Sequence, residues 1–331
     1  MKLGTRVSIG LVVLGGIVAS AVTLSRGEVK EYGDLHGRQR FHVFRSSKEC
    51  RACHAAVFDE WNRSHHKIAY TNPEVRKLSD DFRNKECQAC HLPRPIFETG
   101  LGDRPLQRET RPDEGVDCFA CHRNASGRIV GRHARPGAQC KPIRDEGVLG
   151  VSLCKSCHNQ HQTTDQFLAS DYATKGKNCN SCHMPEVDRG NVKGRSHVFA
   201  GCHDLRFLRQ AGTMHVRIDG GIARVEVGNT GAGHNFPTEE RHRCVDVVYR
   251  IVPAGQQAAP AFVRLYRFRQ PYRGDPGPNT QLPAGKTWSG TIPLADAPSG
   301  STLQVRLLYR LQPFLADADA QILIERKILV P

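Results

Sequence analysis

The chain has 331 residues, of which 39% are hydrophobic, and a formal net charge of +14. This hydrophobic content excludes an intrinsically disordered chain, and the length is sufficient for two domains of ordinary size. A strongly basic chain first suggests a nucleic acid or an anionic surface as its partner. No repeat that interleaves basic and aromatic residues supports a nucleic-acid site, so we expect no nucleic-acid partner.

The N-terminal segment, residues 1–24, is typical of an export signal. Lys2 and Arg6 precede an uncharged apolar run at residues 7–24, and Ala19 and Ala21 are spaced as in a signal cleavage site. An uncleaved membrane anchor is the alternative, because a run of this length reaches the lower limit for spanning a bilayer. Both alternatives predict that the rest of the chain is periplasmic or extracellular.

Ten of the thirteen cysteines form five copies of one motif, Cys-x-x-Cys-His. The copies are Cys50-x-x-Cys53-His54, Cys87-x-x-Cys90-His91, Cys118-x-x-Cys121-His122, Cys154-x-x-Cys157-His158 and Cys179-x-x-Cys182-His183. Cysteines three positions apart lie on one side of a helical turn, where both sulfurs reach the vinyl groups of one haem and the next histidine faces the iron. Five copies argue against a zinc ribbon or a disulfide. We therefore predict five covalent c-type haems, with these five histidines as proximal ligands.

The spacing of the motifs predicts a region with little core of its own. The motifs start at residues 50, 87, 118, 154 and 179. So little chain per haem cannot build a separate core around each one, so the haems supply most of the apolar interior and neighbouring irons lie close together. We predict a mostly α-helical and loop-rich pentahaem cytochrome c domain at residues 25–209. Its clearest helix is residues 55–70, with Val57, Phe58 and Trp61 on the apolar face. The haem propionates also bring the loaded protein nearer to neutrality.

Each iron needs a sixth ligand or an open position, and the sequence favours histidine over methionine. Met1 lies in the export segment, Met184 directly follows a proximal histidine, and Met214 starts the second domain. Eleven histidines remain after the five proximal ones. The distal candidates that we select among them from the residues alone are His197, His133, His161 and His234. His36 and His42, which precede the first motif, stay open as donors to the first haem.

Three cysteines, Cys140, Cys202 and Cys244, lie outside the motifs. In an oxidising compartment two of them can pair, and a bond between Cys202 and Cys244 would tie the two halves of the chain together. The sequence does not encode whether these two residues are close, so their pairing stays open. We interpret Cys140 as a free thiol.

Residues 210–331 are predicted to form a second domain, because the pattern changes there to short alternating or β-branched runs. The runs are residues 214–218, 223–227, 245–252, 262–268, 287–292, 302–308 and 320–330. Seven short strands at this spacing predict an all-β sandwich of the immunoglobulin-like kind. The loop at 229–238 contains Gly231, Gly233 and His234. Its glycines allow close approach of the backbone, and His234 either caps a haem or lies in an ordinary turn.

Several segments resemble the multihaem cytochrome c superfamily, which contains the tetrahaem electron acceptor of hydroxylamine oxidoreductase (cytochrome c554 and c-prime) and octahaem and pentahaem reductases. Residues 47–69 hold the first motif and then Trp61-x-x-Ser64-x-His66, where the family has a distal ligand. The segments at 114–118, 182–185 and 196–201 match the family's style, and the Gly-His-Asn-Phe-Pro-Thr loop at 233–238 is similar to one in cytochromes with an appended β-domain. The resemblance implies that His66 is a distal ligand.

One departure from the family bears on function. Pentahaem nitrite reductases carry Cys-x-x-Cys-Lys at the catalytic haem, whereas all five motifs here end in histidine. We predict an electron-transfer protein that links a redox donor, such as a membrane quinol-oxidising complex, to an acceptor through bis-histidine haems. Two alternatives stay open: a reductase acting on a small nitrogen or sulfur oxyanion at one five-coordinate haem, and a subunit of a cytochrome filament. The oligomeric state is not determined by the sequence.

Overall fold

The first described element is an antiparallel hairpin of β1 (Val29–Asp34) and β2 (Gly37–His42). The structure, a computed structural model, describes residues 29–34, 37–190, 193–238, 243–271 and 274–331, with side chains from residue 43 onward. The hairpin belongs to one unit, Met1–Val43, and Phe44–Pro331 form a second. The predicted export segment and His36 lie outside the described residues. Within those residues, no helix is long and apolar enough to cross a membrane.

Short helices joined by loops make up the region that carries the motifs, as the spacing predicts. The helices are α1 (Ala55–Asn62), α2 (Pro73–Leu78), α3 (Gln88–His91), α4 (Cys118–His122), α5 (Val151–Lys155), α6 (Thr163–Leu168), α7 (Asp171–Thr174), α8 (Cys179–His183) and α9 (Leu205–Leu208). Two small strand pairs lie between them: β3 (Val130–Gly131) with β4 (Ile143–Arg144), and β5 (Glu186–Asp188) with β6 (Lys193–Arg195).

Polar side chains start the turns that carry the motifs. The first motif begins on a 3₁₀ turn, Ser47–Ala52, that Ser46 caps with a hydrogen bond from Lys48 N–H. Asp117 accepts from the Ala120 N–H at 2.9 Å at the start of α4. Such caps satisfy backbone donors that a short helix leaves unpaired. The local sequence therefore fixes where these haem-binding turns begin.

The helix predicted for residues 55–70 is shorter in the structure, so that prediction is wrong over its second half. Helix α1 ends at Asn62, and turns follow as far as residue 71. The His66 carbonyl accepts from the Val116 N–H at 2.9 Å and from the Ala69 N–H at 3.2 Å. A continued helix would need that carbonyl for the residue four positions later. The segment around Val116 thus competes with helix propagation, which the local pattern could not reveal.

The described residues of the C-terminal region form seven strands, which match the seven predicted runs. They are β7 (Thr213–Asp219), β8 (Ile222–Gly228), β9 (Cys244–Val252), β10 (Val263–Arg269), β11 (Thr287–Pro293), β12 (Thr302–Arg310) and β13 (Gln321–Leu329). They form two antiparallel sheets, in the orders β10-β9-β12-β13 and β11-β8-β7. In an immunoglobulin constant domain the fourth strand joins the sheet of the first, second and fifth. Here the fourth strand, β10, pairs with β9 instead.

Alternating side chains from both sheets form one hydrophobic cluster. Val225 and Val227 of β8 meet Val245 and Val247 of β9, and all four are fully buried. Met214 at the start of β7 belongs to the same cluster with no exposed surface. Because successive residues of a strand face opposite sides, this pattern gives each sheet one inward face. Met214 is therefore a core residue, consistent with its exclusion as an iron ligand.

Cys202 and Cys244 are both free thiols, so the disulfide left open by the sequence is not formed. Cys244 lies opposite Arg310 in the pairing of β9 with β12. Cys202 instead hydrogen-bonds to Tyr309, the residue before Arg310. Neighbouring residues of a strand point to opposite faces of the sheet. The two thiols therefore lie on opposite sides of one sheet, where no disulfide can join them.

Candidate metal centres

Cysteine side chains from different motifs touch one another. The hydrogen-bonded thiol pairs are Cys50 with Cys118, Cys90 with Cys157, and Cys154 with Cys179. The first motif therefore adjoins the third, and the fourth adjoins both the second and the fifth. Groups attached through these sulfurs would lie next to one another.

Three motif histidines face a second imidazole across a gap. The ring centroids are 6.0 Å apart for His158 and His66, 6.3 Å for His122 and His197, and 6.3 Å for His183 and His234. Two imidazoles bound on opposite sides of one metal ion, with nitrogen–metal bonds of about 2 Å, have centroids about 6 Å apart. The three gaps have the width of a doubly ligated iron. Three of the five distal candidates are thus brought opposite a motif histidine.

The Nδ1 atoms of five histidines lie close to backbone carbonyl oxygens. The pairs are His91 with Ala69 (2.8 Å), His122 with Val130 (3.0 Å), His183 with Ala200 (2.7 Å), His197 with Arg195 (2.9 Å) and His234 with Asn235 (3.0 Å). A carbonyl oxygen can only accept, so Nδ1 carries the proton and Nε2 keeps its lone pair. Metal-binding histidines are commonly oriented by this hydrogen bond.

Burial keeps the inner imidazoles in the neutral form. Loss of hydration is the main reason that the pKa of His66 falls to about 3 and that the pKa values of His183 and His197 fall to about 4. Burial also lowers the pKa of His122. A neutral imidazole is the form that binds a metal. These four side chains therefore need no deprotonation step near neutral pH.

His66 is held by the segment that precedes the third motif. Trp61 Nε1 donates to the Val116 carbonyl at 2.8 Å, and the Val116 N–H donates to the His66 carbonyl at 2.9 Å. Gly115, with a φ of +46°, packs so tightly here that a Cβ would lie 2.4 Å from the His66 oxygen and 2.6 Å from the Lys67 oxygen. No larger residue fits this contact without moving the backbone.

His234 reaches its position from the β-rich region, on the loop between β8 and β9. Gln166 of α6 accepts from the Asn235 N–H at 3.2 Å and from the Thr238 hydroxyl at 2.8 Å. Gly233 lies against Phe167, whose ring would be 3.0 Å from a Cβ. The loop is therefore fixed to α6, as its glycines led us to expect.

Two of the distal candidates, His133 and His161, make no ring contact with a motif histidine among the described residues. His133 is exposed on the loop between β3 and β4. His161 follows His158 by three residues, and its buried Nδ1 has no hydrogen-bond partner among the described residues. His65, next to His66, stacks instead on His203 with centroids 3.8 Å apart, which is too close for an iron between the rings.

Sequence reasoning did not single out several residues that position the histidines. Glu60 accepts from the His197 N–H at 2.8 Å and binds Arg189, and Gln166 holds the loop of His234. Their partners lie about 70 to 140 positions away along the chain, so no local pattern identifies them. Gly115 could have been found, since it lies in the Glu-Gly-Val-Asp-Cys segment noted above.

The side chains fit the haem groups that the motifs imply. The motif cysteines would supply the attachment points, and the facing imidazoles with oriented Nδ1 atoms would supply ligands to the iron. Two arginines beside motif histidines also keep a buried Nε without a partner among the described residues: Arg123, next to His122, and Arg195, which donates to the Met184 carbonyl beside His183. A buried guanidinium donor suits a carboxylate such as a haem propionate.

Comparisons with known proteins agree with this arrangement. A family model for cytochrome c554 and c-prime matches residues 49–123, and one for a doubled CXXCH motif matches residues 146–188. Among solved structures, a penta-haem cytochrome c552 from Thermochromatium tepidum is similar, with a TM-score of 0.68 and 17% sequence identity. The match covers 86% of this chain and 98% of that chain, so the two share a fold. No curated protein matches the sequence.

Proposed function

Because the chain is a multihaem c-type cytochrome, we propose that it binds five haems and transfers electrons between redox partners outside the cytoplasm. Five Cys-x-x-Cys-His motifs support the number, and the neighbour of similar fold is itself described as penta-haem. The basic N-terminal segment with its apolar run supports export. When bound, the haems supply one-electron redox chemistry. The chain's own cysteines attach the haems, and its distal histidines occupy the sixth coordination position of the irons. The fold holds the haems side by side.

The observation that carries the proposal is the set of facing imidazoles about 6 Å apart. We assign His66 to the fourth haem opposite His158, His197 to the third opposite His122, and His234 to the fifth opposite His183. An iron with two histidine ligands has no position for a substrate, so it suits electron transfer rather than catalysis. For the first and second haems, His133 and His161 remain the proposed distal ligands.

The touching thiols support a continuous path for electrons within the chain. The contact of Cys50 with Cys118 joins the attachment sites of the first and third haems, and Cys157 and Cys154 join the fourth haem to the second and the fifth. Cys121 of the third motif interacts electrostatically with Cys154 and Cys157 of the fourth, which links the two groups. Cys53 and Cys182 are the exposed motif cysteines, one in the first motif and one in the fifth. We propose that electrons enter and leave near these two ends, with a membrane quinol-oxidising complex as a suitable donor.

The β-rich region takes part in this function through His234. Its two antiparallel sheets have the strand count of an immunoglobulin-like sandwich, and we propose that fold with β10 switched to the second sheet. The loop between β8 and β9 brings a ligand to the fifth haem, and Phe236 of this loop packs into the buried cluster of the two sheets. In this proposal the second domain is a ligand donor as well as a stabilising unit.

The test is the spin state of the purified holoprotein, followed by optical and EPR spectroscopy with and without cyanide. We expect five haems by pyridine haemochrome analysis and low-spin signals that cyanide does not change. His197→Ala should convert one haem in five to a high-spin, cyanide-binding form. His215→Ala is the matched control, because His215 is an exposed histidine of β7. A high-spin haem in the unmodified protein would favour the reductase instead, and an unchanged spectrum in His197→Ala would refute the assignment.

A further inference from the structure

We propose that Glu60 and Arg189 act as a positioning pair that holds His197 on the third haem and sets the midpoint potential of that haem. This inference rests on the proposed ligation of His197 opposite His122. It concerns residues that lie outside the Cys-x-x-Cys-His motifs and that come from opposite ends of the cytochrome region.

Glu60 ties the segment of His197 to helix α1. One carboxylate oxygen accepts from the His197 backbone N–H at 2.8 Å. The same carboxylate receives Arg189 through Nε at 3.2 Å and through Nη2 at 2.7 Å. The two side chains are 18% and 17% exposed, so solvent screens the pair only in part. A forked contact of this kind fixes direction as well as distance.

The carboxylate is charged in this position. The Glu60 carboxylate accepts from the Arg189 guanidinium and from the His197 N–H, and a carboxylate that only accepts from such donors is in its ionised form. The pair thus places one negative and one positive charge beside the distal ligand.

Arg189 also donates to the backbone carbonyl that orients the His197 ring. Its Nη2 donates to the Arg195 carbonyl at 3.0 Å, and His197 Nδ1 donates to the same oxygen at 2.9 Å. A carbonyl has two lone pairs, so it can accept both. The other described carbonyls that accept from a histidine Nδ1 are those of Ala69, Val130, Ala200 and Asn235. Among the described residues, the Arg195 carbonyl is the one that also accepts from a guanidinium. A cationic donor makes the oxygen a weaker acceptor for Nδ1–H, which reduces the basicity of the ligand.

The basicity of His197 and the charges of Glu60 and Arg189 both affect the midpoint potential of the third haem. The sign of each charge decides the direction of its effect. A weaker imidazole donor and a nearby positive charge favour the reduced iron, whereas a nearby negative charge favours the oxidised iron. Removing the charge of Glu60 leaves Arg189 uncompensated, so the midpoint of the third haem should rise. Removing the charge of Arg189 leaves Glu60 uncompensated, so the midpoint should fall. A pair with only a structural role would not give shifts of opposite sign.

The experiment is an EPR-monitored redox titration of the full-length holoprotein and its variants. His197→Ala first identifies the third haem as the one whose low-spin signal disappears. We expect Glu60→Gln to shift that signal to higher potential and Arg189→Gln to shift it to lower potential, with the other four haems unchanged. Arg189→Lys, which keeps the charge but loses the fork, should restore a midpoint close to that of the unmodified protein, while cyanide displaces His197 more readily.

The control is Glu325→Gln, which breaks a partly exposed ion pair with Arg306 in the β-rich region. It should leave all five midpoints unchanged. Absent shifts, or shifts of the same sign in Glu60→Gln and Arg189→Gln, would overturn the inference even if His197→Ala opens one haem as proposed. If His197→Ala opens no haem, the ligation itself is wrong and the inference falls with it.

Discussion

Replacing Gly115 by alanine tests how tightly His66, the proposed distal ligand of the fourth haem, is held. Gly115 has a φ of +46° and a ψ of −127°. A residue with a side chain pays about 1–3 kcal/mol for such a backbone conformation. The new Cβ would also start 2.4 Å from the His66 carbonyl oxygen, whereas real Cβ contacts are at least 3.0 Å. The backbone at His66 or Gly115 must therefore move by 3.0 − 2.4 = 0.6 Å or more.

This displacement is large compared with what an iron ligand tolerates. Metal–ligand distances in proteins vary by about 0.2 Å, so a shift three times as large weakens or breaks the bond from His66. The hydrogen bond from the Val116 N–H to the His66 carbonyl is strained as well, at a further cost of about 1 kcal/mol. We expect Gly115→Ala to destabilise the protein by about 3 kcal/mol. The fourth haem should become high-spin.

The assay combines thermal unfolding with the optical and EPR spectrum in the presence and absence of cyanide. One haem in five should bind cyanide in Gly115→Ala, while pyridine haemochrome analysis still counts five attached haems. Gly137→Ala is the control, because a Cβ there meets no atom within 4 Å and the backbone has no positive φ. A Gly115→Ala protein with unmodified stability and only low-spin haems would refute the reasoning, since the close contact would then be relieved without moving His66.

Three further substitutions test other parts of the structure. Asp246→Ala removes the buried carboxylate that Arg267 and Arg310 share, and it leaves Arg310 with Asp317 as its remaining carboxylate partner. It should cost about 2–3 kcal/mol in chemical denaturation, because hydrogen bonds between charged groups are lost at a buried site. Stability within 1 kcal/mol of the unmodified protein would contradict this. Met214→Ala leaves a cavity at a fully buried site and should lower the free energy of unfolding by about 2–5 kcal/mol. The haem spectrum should stay unchanged. A changed spectrum would mean that Met214 is closer to an iron than its place in the core implies. Gln166→Ala removes the acceptor that holds the loop of His234 and should make one haem partly accessible to cyanide; a spectrum without cyanide binding would show that the loop is held by other contacts.

Local sequence rules predicted the haem-binding turns because the chemistry is local. In each motif two sulfurs and one imidazole must meet a single haem edge, and a helical turn brings residues three positions apart to one side. The seven strands were predictable for a similar reason, since β-branched alternation marks a face that is buried. The observed strands β7 to β13 overlap all seven predicted runs. The same rules did not predict that helix α1 ends at Asn62. The Val116 N–H, which is distant in sequence, donates to the His66 carbonyl that a longer helix would use.

The sequence by itself predicts where haems attach and which histidines are proximal, and it determined where the β-rich region starts, because each depends on neighbours within a few positions. Only the tertiary structure decided which distant histidine faces which motif. His66 meets His158 across 92 positions, and His234 meets His183 from the other half of the chain. It also decided that Cys202 and Cys244 stay apart, because they lie on opposite faces of one sheet. The histidine pairs and the separation of the two thiols depend on tertiary packing, which brings together residues that are far apart in the sequence.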